Sequence, residues 1–289
     1  MKNLQKLAKT KGDTMKREKQ RNTHNRLLAK LITCIIITCT ALTILSGCSI
    51  IKTVGKAVGN GLSTIDYTNE EQYKIGDGEI KETIKDIKIN WVSGKIKIKT
   101  GDSDKIIISE ENDSSNEDFK LRYLAEGETL KIQFSKAGKW NFSNIHKELI
   151  ITLPKDCQFD NFDIDSVSAS CNIEGLKTKD MSVDTVSGEV NLENVYIEHF
   201  KGNAVSGDIE LSGDIKDSVK VDAVSAKIKL TIPEDKGYTV DMDTTSGDFD
   251  SNFEYTGNKG RYKAGDESIK IDVDTVSGNL SIKKGVASA

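Results

Sequence analysis

The chain has 289 residues, 30% of them charged, and a formal net charge of −4. That charge is unevenly distributed. Residues 1–47 hold ten basic and two acidic residues, so the remainder has 31 basic and 43 acidic residues, a net charge of −12. A surface of this sign repels nucleic acid and is not attracted to an anionic bilayer. Composition therefore excludes nucleic acid as a partner and predicts that a membrane anchor must be a lipid rather than a basic surface.

The N-terminus has the parts of a secretory signal, a basic segment followed by an uncharged apolar run at residues 31–45. That run is shorter than the about 20 residues that a membrane-spanning helix needs. It ends in Leu45-Ser46-Gly47-Cys48, which resembles the bacterial lipobox, whose cysteine receives a diacylglyceryl group and becomes the first mature residue. We expect residues 1–47 to be a lipoprotein signal peptide and Cys48 to be lipidated at the extracytoplasmic face of the cell membrane. An uncleaved signal anchor is the alternative, and Met15 is a second possible start.

Residues 48–79 connect the predicted lipid to the rest of the chain. Apolar residues recur there every three or four positions, a pattern compatible with a short amphipathic helix on the bilayer. Gly55, Gly59 and Gly61 each lower helix stability by about 1 kcal/mol. We therefore interpret the segment as a flexible tether.

Residues 80–155 contain alternating apolar and polar stretches such as TLKIQF and KELIITLPKD, with a predicted hairpin turn at residues 125–128. We interpret them as edge hairpins and first coils of one β-repeat domain spanning residues 80–284, followed by a tail at 285–289. A separate small β domain over 80–155 is the alternative.

A nine-residue pattern recurs six times between residues 165 and 282, and an outlying copy, NWVSGKIKI, lies at 90–98. The other copies are DSVSASCNI, DTVSGEVNL, NAVSGDIEL, DAVSAKIKL, DTTSGDFDS and DTVSGNLSI. The first four central serines are 19 residues apart, and the later gaps are 21 and 31 residues. A step of 19 suits one coil of a β-solenoid in which each coil pairs with the next. The serines, predicted to be structural corner residues with hydroxyls that bridge successive corners, are Ser168, Ser187, Ser206, Ser225, Ser246 and Ser277.

The side-chain pattern has period two on each side of the serine. Positions six and four before it are mostly apolar, and so are positions three and five after it, as in Ile228 and Leu230. The inward parity changes at the serine–glycine pair, which requires a corner or bulge. We expect glycine at this point because it adopts positive φ without penalty. Ala169 and Ala226 replace it in two copies.

Two cysteines remain outside the signal and the lipobox. Cys171 occupies a position where other copies carry Val, Ile, Leu or Phe, so we interpret it as a small buried hydrophobic residue. A disulfide between Cys171 and Cys157 is the alternative.

An acidic register precedes the corner by three residues. Its carboxylates are predicted to stack about 4.8 Å apart on an outward face, where lysines or a cation would reduce their repulsion. Salt bridging on a solvated face is the simpler interpretation. Calcium binding is the more specific one, because calcium prefers oxygen ligands. The candidate ligands are Asp165, Asp184, Asp222, Asp243 and Asp274.

The segments ELIITLPKD and FDNFDIDSVSASCNIEGL, together with the recurring DTVSG, resemble the DUF4097 family of toast-rack β-repeat proteins, which are described as adhesin candidates. The resemblance covers roughly residues 80–284. It implies an all-β, β-solenoid-like fold and a place at the bacterial envelope, often in connection with envelope stress, and it carries over no catalytic residue.

The sequence has no HExxH, CxxC or phosphate-binding loop, and no serine in a G-x-S-x-G context. We therefore predict a non-enzymatic envelope scaffold, adhesin or stress partner without a cofactor. Its partners would be the membrane through the lipid, and an envelope protein or a second copy of the chain. The alternative is a carbohydrate-binding or carbohydrate-active β-helix protein. A surface groove formed by Trp91 and Trp140 would favour that alternative, and burial of both would count against it.

Overall fold

The computed structural model describes residues 70–112, 115–136 and 147–286. The predicted signal peptide, Cys48, most of the tether, Trp140 and the last three residues lie outside this range. Within the described residues, two 3-10 helices, Glu70–Gln72 and Glu117–Phe119, accompany 18 strands in one hydrogen-bonded sheet. No helix in the described part of the chain is long and apolar enough to cross a membrane.

The first nine strands are β1 (Lys74–Ile75), β2 (Gly78–Ile80), β3 (Asp86–Gly101), β4 (Ile106–Asn112), β5 (Arg122–Glu126), β6 (Thr129–Gln133), β7 (Lys147–Pro154), β8 (Phe159–Glu174) and β9 (Lys177–Thr185). The others are β10 (Val190–Ala204), β11 (Ile209–Ala223), β12 (Lys227–Pro233), β13 (Tyr238–Thr244), β14 (Phe249–Ser251), β15 (Tyr255–Asn258), β16 (Arg261–Ala264), β17 (Ile269–Thr275) and β18 (Asn279–Gly285).

The regular part of the sheet is a stack of parallel levels, each made of two strand segments separated by a corner. β8 forms one level by itself, and the chain then winds through β9, β10, β11 and β12, placing each level beside the one before it. Leu192, Leu211 and Leu230 are consecutive partners in this register. The predicted 19-residue coil is therefore confirmed, and the chain folds as a β-solenoid.

The stacking order at the C-terminal end differs from the order in the sequence. β17 and β18 pair with β11 and β12 on one side and with β13 and β14 on the other. The expectation that each coil pairs with the next is wrong here, because the 274 copy lies between the 222 and 243 copies. The 31-residue gap between the last two serines contains β15 and β16, which pair in antiparallel fashion and cover β13.

The N-terminal end has the same arrangement. β3 pairs with β8, and its other edge pairs with β6 and β7, which come later in the chain. β5 and β4 then cover β6 and β7 in antiparallel fashion. The described strands of residues 80–155 therefore belong to the same sheet as the repeat, and β3 is an inner level of it.

The core lies between the two strand segments of every level. The residues six and four before each serine, such as Phe162 and Ile164, are almost fully buried, and so are those three and five after it, such as Ile228 and Leu230. The predicted change of parity at the corner is confirmed. In the outermost level, by contrast, Phe249 is only half-buried.

Candidate functional site

The repeated corner is the most regular feature of the surface, and close packing explains its glycine. A Cβ added to Gly188 would overlap the carbonyl oxygen of Ala169, and one added to Gly207 would overlap that of Gly188. Gly94 has a φ of 92°, whereas Gly188, Gly207, Gly247 and Gly278 lie outside the left-handed region. The expectation of positive φ is therefore wrong for these four: glycine is needed because successive corners stack backbone against backbone.

The residue two before the serine closes the corner with its hydroxyl, a role that the sequence interpretation missed. The Oγ of Ser166 accepts a hydrogen bond from the N–H of Ala169 at 3.0 Å, and the Oγ1 of Thr185 accepts one from Gly188 at 3.0 Å. Both side chains are buried. The signal was present in the sequence, since this position holds Ser or Thr in four of the six regular copies.

The repeat serines themselves are exposed, and their backbone links adjacent levels. The N–H of Ser187 donates to the carbonyl of Val167 at 3.0 Å, and that of Ser206 to Val186 at 2.9 Å; equivalent bonds start from Ser225, Ser246 and Ser277. The hydroxyl of Ser168 donates to the carbonyl of Val92 at 3.3 Å. Across the described residues it is the only repeat serine whose hydroxyl bridges two corners.

The acidic register forms one row across seven levels. In spatial order its members are Asn90, Asp165, Asp184, Asn203, Asp222, Asp274 and Asp243. Asp184 is only 7% exposed and accepts a hydrogen bond from the side-chain amide of Asn203. The face is therefore less solvated than predicted at this point. Burial raises the pKa of Asp184 to about 7, although the bond from Asn203 acts in the opposite direction.

Within residues 70–112, 115–136 and 147–286, no group of three or more His, Cys, Asp or Glu side chains is placed to hold a metal ion. Calcium binding by the acidic register stays a prediction. Next to this row, burial also raises the pKa of Asp272, with Lys220 acting against it and Asp274 and Asp241 adding to it.

A buried charged cluster lies at the N-terminal end of the stack. Lys147 Nζ lies 2.8 Å from Glu110 Oε2, and the two side chains are 0% and 6% exposed. The same ammonium donates to the carbonyls of Phe119 and Phe134 and lies 4.9 Å from the centroid of the Trp91 ring. Burial lowers the pKa of Lys147 to about 8, while Glu110 raises it.

The sequence contained a signal for this cluster. Lys147 has the same parity as Leu149, Ile151 and Leu153, which all point inward. Trp91 is 2% exposed, so it contributes to no surface groove. Cys171 is buried and Cys157 half-buried, and both are free thiols. The hydrophobic interpretation of Cys171 is confirmed and the disulfide alternative is wrong.

This geometry defines a class of protein, a parallel β-solenoid whose levels are joined at a repeated Val-Ser-Gly corner. The chain belongs to the Toastrack DUF4097 family, whose model matches residues 84–213 and 155–283. A search of curated proteins gave no match.

Three solved structures are similar to the chain. A candidate cell adhesion protein from Clostridium sporogenes has 16% identity, a TM-score of 0.45, and coverage of 73% of this chain and 100% of its own. A candidate adhesin from Bacteroides fragilis has 13% identity, a TM-score of 0.40, and coverage of 72% and 97%. A candidate lipid-binding protein from Parabacteroides distasonis has 17% identity, a TM-score of 0.32, and coverage of 72% and 96%.

Proposed function

We propose that this protein is a non-enzymatic scaffold or adhesin of the bacterial envelope, held to the membrane by a lipid on Cys48. One observation carries the proposal: the stack displays the same short group of side chains in every level, so its surface consists of rows of equivalent positions. A catalytic centre needs one set of residues that differs from the others. Rows of equivalent residues suit multipoint contact with an extended partner.

The location follows from the sequence. A basic segment, an apolar run and Leu45-Ser46-Gly47-Cys48 are the order that export and lipidation require. Two or more acyl chains are enough for stable attachment to a bilayer, and the net charge of −12 beyond residue 47 leaves the lipid as the anchor. The partner would be an envelope protein or a second copy of the chain.

The carbohydrate-active alternative needs a carboxylate pair with aromatic residues nearby. Of the two tryptophans considered for such a cleft, Trp91 is buried beneath Lys147 and Phe134. Trp140 lies outside the described residues. No specific observation therefore favours a glycosidase.

Metabolic labelling with an alkyne fatty acid tests the anchor. The wild-type chain should carry the label and remain with the membrane fraction, and the repeat domain should be digested when protease is added to intact cells stripped of their outer layers. Cys48→Ala should lose the label. Equal labelling of the two chains, or protection of the domain from the added protease, would contradict the proposal. Crosslinking on cells followed by pull-down would then identify the partner.

A further inference from the structure

The corner edge of the stack carries side chains whose repetition the fold does not explain. All seven copies of the repeat retain the serine, including Ser93, whereas the corner glycine is replaced twice and the preceding valine once. Serine is thus the most constant residue of the repeat. The inter-level bond at this position uses its backbone N–H, which almost any residue supplies.

The hydroxyls of these serines are largely unused by the protein. Ser168 donates to Val92. In the described part of the chain, no protein group bonds to the hydroxyls of Ser187, Ser206, Ser225, Ser277 and Ser246, all of which are exposed. They form a single row, because each N–H reaches the corner of the level beside it. At about 4.8 Å per level, the seven serines extend over about 29 Å.

Charge is missing from this edge. The residues immediately before and after the seven serines are Val, Thr, Gly or Ala, so the 21 corner positions include no charged side chain, in a chain that is 30% charged. The residues before the serines are half-buried or exposed, and Val167 is 43% exposed. On one side the edge is bordered by the acidic register, which contains aspartates and asparagines and no basic residue.

We propose that this Val–Ser edge, together with the acidic register beside it, binds an uncharged glycan chain lying along the stack. The proposal deepens the proposed adhesive function and rests on it. Serine hydroxyls both donate and accept hydrogen bonds, as sugar hydroxyls do. Aspartate and asparagine side chains add acceptors, and valine methyl groups contact the apolar C–H faces of a sugar ring.

The charge pattern selects among polymers. The acidic register holds five carboxylates, more negative charge than the nearby Lys201 and Lys220 offset, so it disfavours polyanions such as acidic polysaccharides. The corner positions themselves carry no charge, so the contacts that this edge repeats from level to level come from hydroxyl and methyl groups. An uncharged polyhydroxylated chain can form hydrogen bonds with the row of serine hydroxyls and is not repelled by the carboxylates. It contacts several levels at once, so the weak contacts at each level add together.

Titration calorimetry of the full-length chain in detergent tests the proposal, with cellohexaose and chitohexaose as uncharged probes and hexagalacturonate as the anionic probe. At least one uncharged hexamer should bind, and hexagalacturonate should bind at least tenfold more weakly. The variant S187A/S206A/S225A keeps every backbone bond and removes three adjacent hydroxyls, and it should lower the affinity at least about tenfold. The matched control S109A/S212A/S281A removes three half-buried hydroxyls elsewhere and should bind like wild type.

Both triple variants should melt within about 2 °C of wild type, since surface substitutions change stability little. Ser206→Glu provides a second measurement, because a charge at the centre of the edge should abolish binding. No binding of either uncharged hexamer, equal affinity in the two triple variants, or equal binding of hexagalacturonate would overturn the proposal. So would a loss of self-association in S187A/S206A/S225A without any glycan binding, since the edge would then bind a second copy. The measurement involves no cells. A negative result would therefore overturn glycan binding without contradicting the lipid labelling or the surface exposure of the chain.

Discussion

The middle levels of the stack and its two end levels cover their strand edges and apolar residues in different ways. From β8 to β12, each level places apolar residues against apolar residues at the same positions of its neighbours, as with Leu192, Leu211 and Leu230. The same pattern therefore serves both edges of a middle level. An end level has such a neighbour on one side only. The comparison shows that repetition stabilises the middle, whereas each end needs residues that do not follow the repeat.

The two ends use different chemistry. At the N-terminal end the antiparallel strand β4 brings Glu110 to the buried ammonium of Lys147 on β7. At the C-terminal end the hairpin of β15 and β16 brings aromatic rings: Phe249 stacks on Tyr262 with centroids 4.0 Å apart, and Tyr255 contacts both edge to face. A buried ion pair depends strongly on both of its partners, so we expect the N-terminal end to be the more sensitive one.

The largest effect is expected from a charge in the middle levels. Ile228→Asp places an unpaired carboxylate where the wild-type side chain is 1% exposed, and it should destabilise the protein by more than about 4 kcal/mol or prevent folding. Lys227→Asp changes an exposed neighbour and should cost no more than about 0.5 kcal/mol. Thermal melting of both variants measures this difference. Similar melting temperatures would mean that the inward and outward faces are wrongly assigned.

The N-terminal ion pair should give the next largest effect. Glu110→Ala leaves Lys147 buried without its counter-charge and should cost about 3–5 kcal/mol. The double variant Glu110→Leu with Lys147→Met keeps the volume and removes both charges, so it should cost less than the single variant. Urea denaturation of the double variant and of Glu110→Leu and Lys147→Met alone would show the coupling. Additive effects of the two sites would refute the idea that the pair acts as a unit.

At the corner, Gly207→Ala should cost about 1–3 kcal/mol, because the added methyl group overlaps the carbonyl oxygen of Gly188 and the levels must move apart. Ala226→Gly, at the same position of the next level, should cost no more than about 1 kcal/mol, through chain entropy alone. Melting curves distinguish the two. A harmless Gly207→Ala would argue against close packing of the corners.

Replacing Asp184 by asparagine is expected to stabilise the protein. Its pKa is raised from 3.8 to about 7 in the folded chain, so the folded state binds a proton more tightly than the unfolded state. This group therefore makes stability fall as pH rises from about 4 to 7. At about 1.4 kcal/mol per pKa unit, the difference between 3.8 and 7 sets an upper limit of about 4 kcal/mol. Asp184→Asn should stabilise the protein by about half of this limit at pH 8 and change its stability little at pH 4. Exposed Asp180→Asn is the control and should stay within about 0.5 kcal/mol at both values. A pH-independent gain in Asp184→Asn would reject the role of the buried charge.

The smallest effect is expected from calcium. A site with a dissociation constant of about 1 mM would add about 1.4 kcal/mol at 10 mM calcium, a rise of about 3–5 °C in melting temperature. We expect instead that calcium and sodium chloride at matched ionic strength give equal shifts, because both screen the net charge of −12. A specific calcium shift that Asp222→Asn and Asp274→Asn remove would establish the metal site.

The sequence predicted the parts of the molecule in which neighbouring levels are equivalent. Period-two burial placed Ile228 and Leu230 in the core, and the parity change located the corner. It predicted neither the position of β17 and β18 between earlier levels nor the partner of Lys147, because both depend on contacts between segments far apart in the chain. Close packing at Gly188 was missed for the same reason, since the atom it meets belongs to Ala169 of another level.

The insertion of β17 and β18 between two earlier levels has a consequence for biosynthesis. β13 and β14 have no bonds to β12, and their parallel partners are strands made about 30 residues later. During synthesis, residues 238–264 are therefore made before the level with which they pair exists. The C-terminal levels are therefore not assembled in the order in which their residues are synthesised. Their assembly is complete only when residues 269–285 pair with β11 and β12. A chain truncated at residue 265 would have the strands of its outermost level and nothing to attach them to.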